Sequence, residues 1–189
     1  MQLRQLFLLL IIFKFGLGLP ADAKHNDQKW EATFKSVVSV LPTWPGYEKP
    51  GFGAPLGVAP EGTGFYFKFR EKENLSKYVL TAFHVIKKAT KVEVEFYDNR
   101  KEVVEIIFVD KKTDIAILKS KSKIKPLNFS NKKIYIGSHV CVIGNSFGLG
   151  SSLTCGVVSA LNRKNLGFNE IENFIQTDAA VNPGDSGAP

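Results

Sequence analysis

Residues 91–108 read Lys91-Val92-Glu93-Val94-Glu95-Phe96-Tyr97, then Asp98-Asn99-Arg100, then Lys101-Glu102-Val103-Val104-Glu105-Ile106-Ile107-Phe108. In the first stretch every second residue is apolar, so Val92, Val94 and Phe96 share one face of an extended chain. Asp98-Asn99-Arg100 is turn chemistry, and Val104, Ile106 and Phe108 resume the alternation. The unit is a hairpin with one buried face, and the sequence on either side repeats the pattern. Strand-like runs occupy residues 33–41, 63–70 and 77–83 before it and 114–119 after it, with a short helical turn at 85–89. Downstream of a basic connector at 120–133 come three more strands, at 137–144, 151–160 and 171–177. Many short strands separated by turns predict an all-β sandwich or barrel. The Pro- and Gly-rich stretch at 42–62 breaks both helix and ladder and reads as a long loop, its Trp44, Tyr47 and Phe52 pinning it to the body.

With 189 residues, 44% of them hydrophobic, the chain can bury one sizeable core or two small ones. Residues 1–23 read as a signal peptide: Arg4, an apolar run at 6–13, and Ala21-Asp22-Ala23 as a cleavage pattern. Lys14 interrupts that run, and an uncleaved leader is the competing reading. The run is far short of the ~20 residues that span a bilayer, so the expectation is export to the periplasm or medium. The leader carries Arg4 and Lys14 against Asp22, so cleavage takes the net charge only from +7 to about +6. Lysines 119, 121, 123 and 125 alternate along an extended segment; with no aromatic residues between them they read as a solvated face rather than a nucleic-acid or lipid patch. Cys141 and Cys155 lie at equal distances from Gly148. A hairpin turning there would bring them together, and an exported chain could oxidise them; two small buried apolar side chains are the alternative. No Cys/His spacing matches a metal site.

One segment carries chemistry. Asn182-Pro183-Gly184-Asp185-Ser186-Gly187 sets a hydroxyl on a glycine-flanked turn, where a substrate carbonyl can approach main-chain N–H groups. A serine there is a candidate nucleophile if a base and an orienting acid exist elsewhere. Of the three histidines, His25 lies near the expected mature N-terminus, His139 begins a strand, and His84 ends the run Tyr78-Val79-Leu80-Thr81-Ala82-Phe83. His84 is either structural or the base. Asp114 leads straight into apolar Ile115-Ala116-Ile117-Leu118, where a carboxylate needs a partner. It either serves His84 or caps the Lys111-Lys112 turn, with Asp110 competing for both roles.

Together these segments resemble the trypsin-like serine proteases of the HtrA/Deg family. Gly62-Thr63-Gly64-Phe65 looks like that family's second strand, Thr81-Ala82-Phe83-His84-Val85 like its histidine motif, and Lys112-Thr113-Asp114-Ile115-Ala116-Ile117-Leu118-Lys119 like its aspartate motif. Gly144-Asn145-Ser146-Phe147-Gly148-Leu149-Gly150 is close to its glycine-rich turn, residues 154–163 are similar to the strand after it, and residues 174–184 lead into Ser186 as the family does. Six motifs in the family's order, across residues 36–189, make the resemblance specific.

The resemblance implies two six-stranded antiparallel barrels with a Ser-His-Asp triad between them: a first barrel over 24–125 and an incomplete second barrel over 126–189. It implies His84, Asp114 and Ser186 as catalytic residues, an oxyanion hole from the N–H groups of Gly184, Asp185 and Ser186, and Ala180 in the substrate pocket. Ala180 stands where enzymes that cut after Lys or Arg carry an acid, so small aliphatic residues are expected before the cut. The implied partners are unfolded or damaged proteins or peptides; the implied assembly is a homotrimer formed through the first barrel's side. No cofactor, metal or nucleic acid is implied, and membrane contact would come only through an uncleaved leader. Two departures stand out. Asp185 replaces the family's usual Asn, and Ala188 replaces a second glycine. The family's second barrel needs three strands beyond Pro189, so the chain alone is expected to be inactive, and a truncated, inactive remnant is the alternative reading.

Overall fold

The computed structural model describes residues 27–51, 53–54, 60–68 and 74–189. The leader expected at 1–23, His25 and Phe52 lie outside the described residues. After a helix, α1 (Asp27–Phe34), come β1 (Val37–Thr43), β2 (Gly62–Tyr66), β3 (Ser76–Ala82), a one-turn helix α2 (Phe83–Ile86), β4 (Lys91–Glu95), β5 (Lys101–Asp110) and β6 (Ile115–Ile124). These six strands close an antiparallel barrel in the order β1-β2-β3-β6-β5-β4. The second half holds β7 (His139–Gly144), a short 3-10 turn at Ser146–Gly148, β8 (Ser152–Arg163) and β9 (Phe174–Thr177), paired as β7-β8-β9. No helix among the described residues is long and apolar enough to cross a membrane.

The barrel closes because the alternating residues meet inside it. Val38 and Val40 of β1, Val79 of β3, Val92 and Val94 of β4, Val104 of β5 and Leu118 of β6 are all buried, each worth about 1.5–3 kcal/mol when fully removed from water. Val85 and Ile86 of α2 join the same core. The hairpin turn forms as its residues dictate: Asn99 takes the left-handed conformation (φ 62°), and the Asp98 carboxylate accepts from the Arg100 backbone N–H and guanidinium.

Tyr66 is the largest fully buried side chain. Burial pushes its phenol up to about 12, while its O–H donates to Ser120 Oγ at 2.7 Å. Ser120 in turn donates to Glu102, whose two oxygens also take the Ser122 hydroxyl and the Lys121 and Ser122 N–H groups. This network fixes the far half of β6, where Lys119, Lys121 and Lys123 point outward and Ser120 inward.

Several expectations need correction. Residues 27–34 are helical, so the first strand begins at Val37 rather than at 33. The helical turn includes His84 instead of following it. The first five residues of the expected connector at 120–133 belong to β6. Ile106 and Phe108 are exposed although the alternation assigned them inward; the β5–β6 register slips between them, so Ile106 still pairs with buried Leu118 while Phe108 pairs with Ile117 on the other face, and Ile107 and Val109 are exposed too. The last strand starts at Phe174, because the Glu172 carboxylate accepts the N–H groups of Leu166, Phe168 and Asn169 and folds that segment into turns. Of the loop aromatics, Trp44 is buried and Tyr47 exposed, so one of the two anchors the loop.

Cys141 and Cys155 face each other across the β7–β8 ladder and form a disulfide enclosing a separation of 14 residues. Loop-closure entropy for such a span is worth about 3 kcal/mol. The Cys141→Ser/Cys155→Ser double variant should therefore unfold at lower urea concentration by about that amount, measured by chemical denaturation.

Glu102 supplies a pH prediction. Burial acts against its charge, but hydrogen bonds outweigh it, the Ser122 hydroxyl foremost, and the carboxyl sits below its usual 4.5. A depressed folded value means the stabilisation is complete above about 4.5 and disappears as pH falls through the folded value. Between about pH 5 and pH 3 the wild type should lose stability faster than Glu102→Gln, read from thermal melts at each pH.

Candidate active site

The strand-to-helix junction at residue 82 is what presents His84. Ala82 is extended, and the single turn that follows sends Val85 and Ile86 into the core, leaving the imidazole about half exposed. Its partner comes from the start of β6. Asp114 is held in the left-handed region (φ 60°), a conformation Asp tolerates better than most side chains. From there Asp114 Oδ1 accepts the His84 backbone N–H at 2.8 Å and Oδ2 lies 2.5 Å from His84 Nδ1. The Asp114 carbonyl accepts from the Phe83 N–H at 2.9 Å, so backbone and side chain fasten the same junction.

The competition between the two aspartates is resolved by geometry. Asp110 accepts from the Lys112 N–H and the Thr113 hydroxyl, and those bonds, the hydroxyl first, hold its carboxyl below the usual range. It caps the turn; Asp114 takes the imidazole.

Ser186 lies on a turn closed by Asp185 N–H to the Asn182 carbonyl (3.0 Å) and Ala188 N–H to the Asp185 carbonyl (2.8 Å). Gly184 and Gly187 both have positive φ, 101° and 87°. A Cβ at Gly187 would meet the Thr63 carbonyl at 2.3 Å, so no other residue fits there without displacing β2. Since its N–H is spent within the turn, Asp185 is a poor third donor to an oxyanion. Among the described residues the N–H groups of Gly184 and Ser186 make no hydrogen bond within the chain. Ser186 Oγ likewise makes no hydrogen bond to His84 among the described residues. Gly62 is packed against both Val85, next to His84, and the Ser186 backbone: an added Cβ would lie 2.6 Å from Val85 Cγ1 and 3.2 Å from the Ser186 carbonyl.

The expected puzzle at Asp185 has a local answer. Its side chain is 4% exposed, and it accepts from the Ser146 hydroxyl at 2.8 and 2.9 Å and from the Asn182 N–H at 2.8 Å. Ala180 is exposed, and its carbonyl takes the Thr154 hydroxyl at 2.6 Å.

Support residues went unassigned in the sequence. Thr63 is fully buried: its hydroxyl donates to the Gly184 carbonyl (2.7 Å) and accepts the Asn145 N–H (2.9 Å), while its N–H donates to the Ser186 carbonyl (2.8 Å). Its carbonyl takes the Thr81 hydroxyl at 2.6 Å. The signal was a polar residue between Gly62 and Gly64, where only a buried partner would justify the hydroxyl. Beside His84 and Asp114 opens a cleft of about 930 Å³, floored by Phe168, Phe174 and Ile175 and edged by Lys87, Lys111 and Arg163.

The chain resembles known proteins along this same frame. A family profile described as a trypsin-like peptidase domain matches residues 62–189. A probable periplasmic serine endoprotease, DegP-like, from Chlamydia muridarum is 43% identical over 133 residues, covering 69% of this chain and 26% of that protein. The periplasmic pH-dependent serine endoprotease DegQ of Escherichia coli is 42% identical over 118 residues, 60% of this chain and 26% of DegQ. The solved HtrA-type protease AlgW with a tripeptide superposes with TM-score 0.68 at 31% identity, over 84% of this chain and 47% of AlgW. A serine endoprotease from Yersinia pestis gives TM-score 0.67 at 27% identity, over 86% and 51% respectively. The chain thus spans about a quarter of the curated relatives and about half of the solved chains. Five of the first barrel's six strands, the three-stranded second sheet, paired His84 and Asp114 and a glycine-flanked Ser186 all fall within residues 62–189, and the chain belongs to the trypsin-like peptidases of HtrA/Deg type.

Proposed function

We propose that this chain carries the nucleophile, base and orienting acid of an exported serine endopeptidase that cleaves unfolded or damaged proteins. The observation that carries the reading is the grip of Asp114 on His84, one carboxylate oxygen on the backbone N–H and the other on Nδ1. With Nδ1 so occupied, the proton sits on that nitrogen and Nε2 is left to accept one from Ser186. Ser186 Oγ then attacks the scissile carbonyl, and His84 returns the proton to the leaving amine. Asp114 stabilises the imidazolium between the two steps.

The developing oxyanion would be met by the Gly184 and Ser186 N–H groups, and each such donor is worth about 2.7–4 kcal/mol of barrier. Ala180 offers no charge for a basic side chain, which favours small aliphatic residues before the cut. The relatives' names support a periplasmic setting. Within this reading residues 24–125 form the first barrel unit and 126–189 the part of the second that carries the nucleophile, with homotrimer formation through the first barrel's side. The intact His84–Asp114 pair and Ser186 turn weigh against the alternative reading of an inactive remnant.

In the protein as its source makes it, Ser186→Ala should abolish casein hydrolysis and labelling by a fluorophosphonate probe while leaving the circular dichroism spectrum unchanged. Retained hydrolysis would remove Ser186 from the mechanism. Ser146→Ala strips the buried Asp185 carboxylate of its hydroxyl donor and should cost about 1–3 kcal/mol in stability, read by denaturant titration.

A further inference from the structure

The cross-strand pair on the second sheet has a neighbour. His139 and Cys141 are two residues apart on β7 and therefore project from the same face, and Cys155 stands directly opposite Cys141 on β8. His139 Nδ1 lies 3.9 Å from Cys141 Sγ, and the three potential ligand atoms fall within 4.8 Å of one another. His139 and Cys155 are exposed and Cys141 partly so, which puts the cluster within reach of solvent reagents. No sequence spacing flagged it, because the third ligand arrives through strand register rather than along the chain.

We propose that opening the Cys141–Cys155 bond converts this rung into a binding site for one thiophilic cation of the Zn2+ type, ligated by both sulfurs and the His139 imidazole. Two thiolates and an imidazole form a soft N/S set of the kind that selects Zn2+ or Cu(I) over Mg2+ or Ca2+. The disulfide form cannot serve, since its sulfurs carry no charge. The reductant is a small thiol or dithiol. Two thiols give up two electrons and two protons to the protein and leave as their own disulfide, and Cys141 and Cys155 become free thiols. Binding the cation then displaces the two thiol protons to solvent.

Geometry permits the exchange. Directly paired strand residues hold their Cβ atoms about 4.5–5.5 Å apart. Two sulfurs each about 2.3 Å from a shared zinc need a separation within easy rotamer reach of that spacing. The fourth coordination position would face water. Coordination would thus restore across the same rung the brace that reduction removes. That brace lies on the hairpin whose tip holds the Ser186 turn, the Ser146 hydroxyl donating to Asp185 and the Phe147 N–H to the Pro183 carbonyl. The site does not depend on the proposed peptidase activity, and its test needs no turnover.

The test is a Zn2+ titration of the oxidised and the dithiothreitol-reduced protein against a chromogenic chelator, with strand circular dichroism followed in parallel. Expected are one equivalent taken by the reduced protein, none by the oxidised, and a raised Tm for the reduced protein when Zn2+ is present. Co2+ in place of Zn2+ should give thiolate charge-transfer absorption. Cys141→Ser should lose the site, and His139→Ala should hold Zn2+ at least about tenfold more weakly. The proposal fails if the reduced protein takes no more Zn2+ than the Cys141→Ser/Cys155→Ser variant, or if His139→Ala binds as well as wild type. It also fails if Zn2+ binds only to chain that has lost its strand spectrum.

Discussion

A single buried threonine holds the two halves of this chain in register. Thr63 satisfies its hydroxyl, N–H and carbonyl with groups from the nucleophile turn, the β7–β8 hairpin and β3. Each of those bonds lies where water cannot replace it, so losing one partner exposes the full desolvation cost of the other, about 1–3 kcal/mol. The position of Ser186 relative to α2 is therefore set by β2, an element that contributes no reacting atom. Gly62 and Gly187 flank the same junction because neither has room for a Cβ.

Much of this was legible from residues alone. Alternation at 91–97 and the Asp98-Asn99-Arg100 turn gave the hairpin, and apolar Val79 and Leu118 marked their strands correctly, because burial on one face leaves a period of two. The segment around Ser186 was legible because the glycines at 184 and 187 are demanded by backbone geometry. Illegible were features that depend on register between distant strands. The bulge that moves Phe108 to the outer face leaves no local trace, nor did the helix at 27–34 announce itself ahead of β1. Residue chemistry alone left Asp110 and Asp114 both open; the family resemblance pointed to Asp114, and its two hydrogen bonds to His84 agree.

Two acidic side chains are held in contrasting ways. Asp114 faces an imidazole in a partly open setting, 22% exposed. Asp185 is nearly sealed and held by hydroxyl and amide donors. The first stays open to the cleft; the second is fixed and shapes the turn.

The Thr63–Gly184 bond closes a span of 121 residues. Local hairpins such as β4–β5 and β7–β8 can form within microseconds, whereas contacts of such range wait for the loop entropy between them to be overcome. The His84–Asp114 pair spans only 30 residues, so it can close well before the Ser186 turn is seated against β2, and that turn takes its final place late in folding.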